Sequence, residues 1–175
     1  RYLQDVNQEL PVVLMENNAS NTPQRYYIHG LGLLASIDSG GAATAYHFNH
    51  RGDTLALTNA SQTITESYGF SPYGITAASN SGSSNPFRFT GQLGVMDEGN
   101  GLHFMRARYY TATTGRFLSI DQMSGNAGIG QTLNRLSFVT GNPLSLTDPS
   151  GMTTSLAAIA GLKDQLAKLQ QEEKK

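Results

Sequence analysis

One arginine and two aspartates stand out in a dense run of motifs between Asn85 and Met152: they are Arg108, Asp121 and Asp148. Peptide hydrolysis by carboxyl groups needs two of them in one site, one ionised to activate water and one protonated to donate to the carbonyl. Carboxyl groups that are held close together acquire split pKa values and so supply both roles. A neighbouring arginine can keep one of them ionised and polarise a developing oxyanion. Residues of these types could form the site of a protein that cuts its own chain.

Each of these residues also has a simpler, structural interpretation. Arg106 and Arg108 alternate along a predicted strand, which is typical of one exposed face. Asp121 can cap the loop that follows it, and the sequence Asp148-Pro149-Ser150-Gly151 is a favourable β-turn. The two aspartates lie 27 positions apart, so they can meet only if the intervening chain folds back. Local sequence therefore leaves catalysis and structure as open alternatives.

The elements that would position these residues are predicted to be strands. Apolar runs are short and are separated by Gly, Ser, Thr and Asn. Three segments, starting at Tyr26, Tyr46 and Tyr68, each have an aromatic residue first, an apolar residue third and a glycine seventh. This internal repeat predicts two-stranded units with positions one and three on the same face. Since a single hairpin is marginal in water, we expect an all-β fold of stacked antiparallel hairpins.

Turn signals support this prediction. A two-residue hairpin turn is expected at Gly40-Gly41, and further turns are expected at Asn59 to Ser61 and at Asn100-Gly101. The stretch from Thr132 to Gly141 is compatible with either a short helix or a strand.

The composition changes abruptly after residue 152. All lysines lie in the last 13 residues, and residues 153–175 contain no Tyr or Phe. Apolar residues in this tail follow helical spacing, which predicts a short amphipathic α-helix; they are Leu156, Ile159, Leu162, Leu166 and Leu169. A helix of this length cannot bury such a stripe alone, so it needs a partner.

The composition excludes several classes of function. The chain has 175 residues, no cysteine and a net charge of -1. Disulfides and thiolate metal sites are therefore excluded, and no electrostatic attraction to nucleic acid is indicated. No apolar run reaches the roughly 18 to 20 residues that a membrane span needs. The four histidines form no convincing metal site, and we expect no cofactor. The chain begins at Arg1 without methionine, which suggests a piece of a longer protein.

The motifs together resemble a known family. The unit at Tyr46 is similar to the YD repeat of Rhs proteins, and RARYYTATTGRFLSID followed by PLSLTDPSG resembles the Rhs-associated core that closes such proteins. The resemblance covers roughly residues 24–152 and is most specific from 86 to 152. Rhs polymorphic toxins and Tc toxin C components share these features.

The resemblance implies a hollow β-shell that encloses a C-terminal polypeptide and a plug-like core that closes one end. It implies three regions: YD-repeat-like hairpins over 1–85, the core over 86–152 and the start of the cargo, or a degenerate end, over 153–175. The implied partners are the upstream shell, the enclosed toxin segment and secretion-apparatus components. The implied location is the bacterial surface or exterior, reached through a secretion system.

The resemblance also implies a single-turnover, aspartyl-type autoprotease that cuts between Met152 and Thr153. Arg108 and Asp121 match the family's catalytic positions, and Asp148 matches the aspartate of the cleavage motif. We assign Asp121 as base, Asp148 as acid and Arg108 as orienter, with Pro149 and Gly151 completing the motif.

The sequence departs from the family pattern at several positions. Met152 replaces the usual leucine at the cut, and Gln122 replaces the proline expected after Asp121. Two alternatives to self-cleavage stay open: a non-catalytic structural β-shell module, and a cell-surface carbohydrate-binding repeat protein.

Overall fold

The structure is a computed structural model, and it describes residues 1–79, 85–123, 127–128 and 130–152 together with the backbone of 155–156. These residues form an all-β fold with fourteen strands and three short 3-10 helices. The predicted fold class is confirmed in this respect.

The first eight strands form one antiparallel sheet in which every strand pairs with the next along the chain. They are β1 (Tyr2–Asp5), β2 (Val12–Asn17), β3 (Pro23–His29), β4 (Leu33–Asp38), β5 (Ala43–Phe48), β6 (Thr54–Asn59), β7 (Ile64–Phe70) and β8 (Thr76–Ser79). This order is a meander of hairpins, as the turn signals predicted.

Asx residues close four of the turns in the same way. The side-chain oxygen of Asp38 accepts hydrogen bonds from the backbone N–H groups two and four residues ahead, at 2.8 and 2.9 Å. Asn18, Asn49 and Asn59 do the same in their own turns. An Asx side chain that satisfies turn N–H groups favours a tight reversal over a longer strand. The predicted turns at Gly40-Gly41 and Asn59 are therefore confirmed in position, but the first is longer than the two residues expected, since β4 ends at Asp38 and β5 begins at Ala43.

One face of this sheet carries a row of buried tyrosines, Tyr27, Tyr46 and Tyr68. In β3, β5 and β7 a register shift lies between the two residues that follow the tyrosine. The predicted repeat was wrong by one residue in its first unit, because Tyr26 is 44% exposed and Tyr27 is buried. A shift of one residue exchanges the two faces of a strand.

The physical reason for that error is the length of the first turn. His29 pairs with Leu33 across a three-residue turn, whereas Phe48 pairs with Thr54 across five residues. Aligning the repeat units on their turn glycines therefore shifted the strand before the first turn by one residue, so that Tyr26 took the place of Tyr27.

A second, smaller sheet has the order β12-β11-β10-β9. Its strands are β9 (Met96–Asp97), β10 (Leu102–Met105), β11 (Arg108–Thr111) and β12 (Arg116–Phe117), and the 3-10 helices are Gly91–Leu93, Gly130–Leu133 and Val139–Gly141. The predicted turn at Asn100-Gly101 joins β9 to β10 and is confirmed. The stretch that was left open between helix and strand contains the last two residues of one 3-10 helix and the whole of another.

Two apolar clusters hold the sheets together. The first packs Phe87 and Met96 against the tyrosine face of the large sheet, and Tyr27 meets Phe87 edge-on at 4.9 Å between ring centroids. The second surrounds Tyr110, whose ring lies 4.5 Å from that of Phe138. Phe70 packs against both clusters. Burial of each of these large side chains contributes about 1.5 to 3 kcal/mol.

The two described residues of the tail, Ser155 and Leu156, are extended and not helical. β13 (Leu146–Thr147) pairs antiparallel with β14 (Ser155–Leu156). The predicted α-helix was therefore wrong at Leu156, where backbone pairing with Leu146 overrides the helical spacing of the side chains. Residues 157–175, which carry the rest of the predicted helix, lie outside the described residues. Within the described part of the chain, no helix is long and apolar enough to cross a membrane.

Candidate functional site

Arg108 is the first residue of β11 and is buried. The chain reverses just before it, at Arg106, which has a positive φ of 56°. The two arginines consequently do not alternate on one exposed face, and that interpretation was wrong. The Arg108 side chain is 6% exposed, and its guanidinium carbon lies 3.6 Å from the centroid of the Phe117 ring. Stacking on an aromatic face fixes the plane of the guanidinium.

The same guanidinium nitrogen contacts both predicted carboxylates. Arg108 Nη2 lies 2.9 Å from Asp121 Oδ2 and 3.5 Å from Asp148 Oδ2. The two oxygens can be no farther apart than the sum of these distances. The structure therefore brings together three residues that span 40 positions of the sequence. Attraction between such charges is strong because little water separates them.

Backbone contacts to Arg135 hold Asp121 in place. The Asp121 N–H donates to the Arg135 carbonyl at 3.0 Å, and Arg135 Nη2 donates to the Asp121 carbonyl. The Arg135 carbonyl also accepts a hydrogen bond from Arg108 Nη1 at 3.1 Å. Asp121 Oδ1 accepts from the Met123 N–H at 2.8 Å, the loop-capping contact expected for this aspartate. Its side chain is 17% exposed, so water can reach it.

Asp148 lies deeper, inside the predicted turn. Its side chain is 2% exposed. Oδ1 accepts hydrogen bonds from the Ser150 hydroxyl at 2.9 Å and from the Met152 N–H at 3.1 Å, while Oδ2 faces Arg108. The Gly151 N–H donates to the Asp148 carbonyl at 3.3 Å, which closes the turn. The carboxyl group is thus fixed beside the residue that precedes the predicted cut.

Gly151 allows this turn to approach the second sheet. Its φ is +70°, and a Cβ atom there would lie 2.3 Å from the Met105 carbonyl oxygen. Arg108 Nε donates a hydrogen bond to the Gly151 carbonyl. Pro149 contributes its carbonyl, which accepts from Arg106 Nη1 at 2.6 Å. Met152 is half-buried, and Thr153 lies outside the described residues.

Two arginines at the site were missed by the sequence analysis. Arg106 was interpreted as an exposed strand residue, and Arg135 was not singled out. Both act through backbone carbonyl groups, which have no sequence signature. The closely spaced arginines of the RAR motif, Arg106 and Arg108, were the one available signal for Arg106.

The site is a packed contact and not an open cleft. A cavity of about 380 Å³ lies elsewhere in the second sheet region, beside Tyr73, Arg116, Asn134 and Phe138. A buried contact suits a reaction whose substrate is the protein's own chain. Among the described residues there is no group of three or more His, Asp or Glu side chains that could hold a metal ion.

The chain is similar to a bacterial nuclease and to two bacterial toxin proteins. It is 33% identical over 153 residues to the tRNA3(Ser)-specific nuclease WapA of Bacillus spizizenii. That match covers 85% of this chain and 6% of the relative. It is 39% identical over 83 residues to the toxin subunit YenC2 of Yersinia entomophaga, covering 46% of this chain and 8% of the relative. It is 28% identical over 114 residues to the toxin protein Tse5 of Pseudomonas aeruginosa. That match covers 65% of this chain and 8% of the relative. The chain thus spans less than a tenth of the length of each of these relatives. No family model matches it.

Solved structures with the same fold include the TcdB2-TccC3-Cdc42 complex. The alignment with this complex has a TM-score of 0.63 and 20% identity. It covers 85% of the present chain and 8% of the matched chain in the complex. The Photorhabdus luminescens Tc holotoxin pore structure aligns over the same share at a TM-score of 0.61 and 21% identity, covering 7% of that chain. These alignments establish the fold.

Proposed function

We propose, from this similarity to toxin proteins of the Rhs type, that the chain is the C-terminal part of a toxin-encapsulating β-shell. Its core cuts the chain once, between Met152 and Thr153, and so detaches the segment that follows. The upstream shell and the detached segment are its partners, and the protein acts outside the cell that makes it.

One observation carries the proposal: a single buried guanidinium nitrogen lies within 2.9 and 3.5 Å of the carboxylates of Asp121 and Asp148. A surface ion pair would not require two carboxylates to converge out of water. Burial of a charged cluster costs several kcal/mol per ion unless the geometry compensates, so such clusters are typical of functional sites.

The proposed reaction is hydrolysis through a tetrahedral intermediate. Asp121 removes a proton from water, the water oxygen bonds to the Met152 carbonyl carbon, and Asp148 donates its proton to the carbonyl oxygen. The Asp121 proton then passes to the Thr153 nitrogen as the C–N bond breaks, and Asp148 recovers a proton from the intermediate. The products are a Met152 carboxyl group and a Thr153 amine, and one water molecule is consumed.

The surroundings of the two carboxyl groups support this division of roles. Asp121 makes the shorter contact with Arg108 and is the more exposed of the two, which suits an ionised base that meets water. Asp148 makes the longer contact with Arg108, at 3.5 Å, and is the more deeply buried of the two, and burial favours the neutral form that an acid needs. Arg108 orients both groups, and its Nε fixes the Gly151 carbonyl one peptide before the cut.

The test is intact-mass analysis of freshly synthesised chain. Wild-type protein is expected to give two fragments that divide after residue 152, and Asp121→Asn and Asp148→Asn are each expected to stay whole. Asp97→Asn is a matched control, since Asp97 pairs with Arg88 at 3.5 Å outside the site. Wild-type protein that folds and stays intact would refute the protease.

The alternative is a structural shell module without catalysis. It is favoured by the many packing contacts of Arg108, which stacks on Phe117 and donates to two backbone carbonyls. This alternative predicts one full-length species, with lower thermal stability in each variant.

A further inference from the structure

Three consecutive residues of the β10–β11 turn donate hydrogen bonds to three consecutive carbonyls of the cleavage motif. Arg106 Nη1 donates to the Pro149 carbonyl at 2.6 Å, and the Ala107 N–H donates to the Ser150 carbonyl at 3.2 Å. Arg108 Nε donates to the Gly151 carbonyl. Each donor lies 43 positions before its acceptor. The next carbonyl in this series is that of Met152.

The closest approach between the two segments is between their main chains. Gly151 lies so close to the turn that a Cβ atom would be 2.3 Å from the Met105 carbonyl oxygen and 3.1 Å from the Arg108 nitrogen. These neighbours are backbone atoms, which cannot move aside as a flexible side chain can. The turn therefore recognises the motif through its backbone and through the absence of a side chain at residue 151.

Arg106 anchors this turn to two other segments. Its Nε and Nη2 donate to the Pro11 carbonyl at 3.2 and 2.9 Å, and Nη2 also donates to the Leu93 carbonyl at 2.8 Å. Burial lowers the pKa of Arg106 to about 10, so it stays charged at neutral pH. The described structure gives it no carboxylate partner. A half-buried guanidinium whose four hydrogen bonds all go to backbone carbonyls is suited to fixing backbone positions.

We infer that the turn Met105–Arg108 is the substrate-binding cradle of the self-cleavage reaction and that Arg106 is a positioning residue that sets which bond is cut. This inference rests on the proposed function. By holding carbonyls 149 to 151 in register, the turn presents the Met152 carbonyl to Asp121 and Asp148. Misplacement of reacting atoms by about 1 Å is enough to slow an enzymatic reaction by about a hundredfold.

The test follows cleavage of pulse-labelled chain made by cell-free synthesis, with the cut located by intact mass. Arg106→Ala is expected to slow cleavage of folded chain at least about tenfold, the loss typical of a charge-assisted hydrogen bond. Part of the product is expected from bonds next to 152–153. Arg106→Lys restores one donor and is expected to recover part of the rate. Arg25→Ala is the control, because Arg25 is a half-exposed residue paired with Glu16 on the large sheet.

A second variant removes a single donor and leaves every side chain in place. Replacement of the Ala107 amide by an ester, through incorporation of lactic acid, deletes the bond to the Ser150 carbonyl. It is expected to slow cleavage about threefold to tenfold. The control is an ester at Gly41, introduced as glycolic acid, because the Gly41 N–H closes an exposed turn away from the site. This variant decides the matter if Arg106→Ala does not fold.

The outcomes separate the two proposals. Wild-type chain that never cuts overturns the protease and the cradle together. Wild-type chain that cuts, with the Ala107 ester and any folded Arg106 variant cutting at the same bond and the same rate, overturns the cradle alone. A slower or displaced cut in these variants, but not in the controls, supports the cradle.

Discussion

The carboxylates of Asp121 and Asp148 contact the same nitrogen of one buried guanidinium, at 2.9 and 3.5 Å. The arginine they share, Arg108, is held on three sides, by the Phe117 ring and by the carbonyls of Arg135 and Gly151. The geometry of the pair therefore depends on the direction of several N–H groups as well as on a positive charge.

Replacement of Arg108 by lysine tests this dependence. Lysine keeps the charge but lacks the planar fork, so it cannot contact both carboxylates and both carbonyls at once. We expect the cleavage rate to fall at least about a hundredfold, in line with the loss of two or more charge-assisted hydrogen bonds. Time-resolved gels of pulse-labelled chain provide the measurement. Arg25→Lys should cut at the wild-type rate; equal rates in both variants would show that charge alone suffices.

Gly151→Ala is expected to be far more damaging than Gly101→Ala. Both glycines have positive φ, +70° and +82°, but a Cβ atom at 101 meets nothing within 4 Å. The alanine at 101 should cost about 1 kcal/mol for the left-handed conformation alone. The alanine at 151 adds a backbone clash, and we expect a total above about 3 kcal/mol together with loss of cleavage. Denaturant unfolding of the two variants measures the difference, and similar costs would contradict the close approach.

The register of the first repeat unit predicts a contrast between neighbouring tyrosines. Tyr27 is 5% exposed and packs on Phe87, whereas Tyr26 is 44% exposed. Tyr27→Ala should lower the free energy of unfolding by about 3 to 5 kcal/mol, and Tyr26→Ala by less than about 1 kcal/mol. Thermal and denaturant unfolding give both values. A larger loss of unfolding free energy for Tyr26→Ala than for Tyr27→Ala would contradict the observed register and support the repeat that starts at Tyr26.

A buried arginine, Arg51, pairs with Asp53 in the turn between β5 and β6 and also links that turn to the segment that leads into the site. Arg51 Nη2 lies 2.5 Å from Asp53 Oδ2, and Arg51 Nη1 donates to the carbonyls of Pro72 and Pro143 at 2.7 Å each. Removal of one charged partner leaves the other buried and uncompensated. We therefore expect Arg51→Met to cost about 3 to 5 kcal/mol.

A double-mutant cycle tests whether this cost comes from the pair. Arg51→Met combined with Asp53→Asn should be less destabilising than the sum of the two single variants, by at least about 1 kcal/mol. Urea unfolding of the four proteins gives the coupling. Simple additivity would show that the two side chains act independently.

Stability should also depend on His103. Burial lowers the pKa of this histidine, with a smaller opposing effect from Asp97. The folded state therefore favours the neutral ring more than the unfolded state does. The contribution is fully present above the ordinary pKa of 6.5 and is lost as the pH falls below that value toward the lower, folded-state pKa.

The measurement is the free energy of unfolding between about pH 8 and about pH 5, for wild type and His103→Gln. Wild-type stability should fall over the acid half of this range more steeply than that of the variant, which removes the titration of this ring alone. Parallel curves would contradict the prediction.

Several features of the fold could be predicted from the sequence because their causes are local. The turns at Asp38, Asn59 and Asn100-Gly101 depend on side chains that bond N–H groups two to four residues away. The short apolar runs predicted strands, and the strands form the expected meander. The helix predicted for the tail was wrong at Leu156, because the spacing of apolar residues does not show that Leu156 pairs with Leu146.

The sequence by itself determined an all-β chain and singled out Arg108, Asp121 and Asp148, because residue types, turn signals and ordered motifs are written along the polymer. The tertiary structure decided that these three side chains meet, that Arg106 turns inward and that Tyr27, in place of Tyr26, faces the core. These outcomes depend on a positive φ, on turn length and on backbone carbonyls contributed by residues many positions away. Such groups are the same in every amino acid, so only the folded chain reveals which of them a side chain will meet.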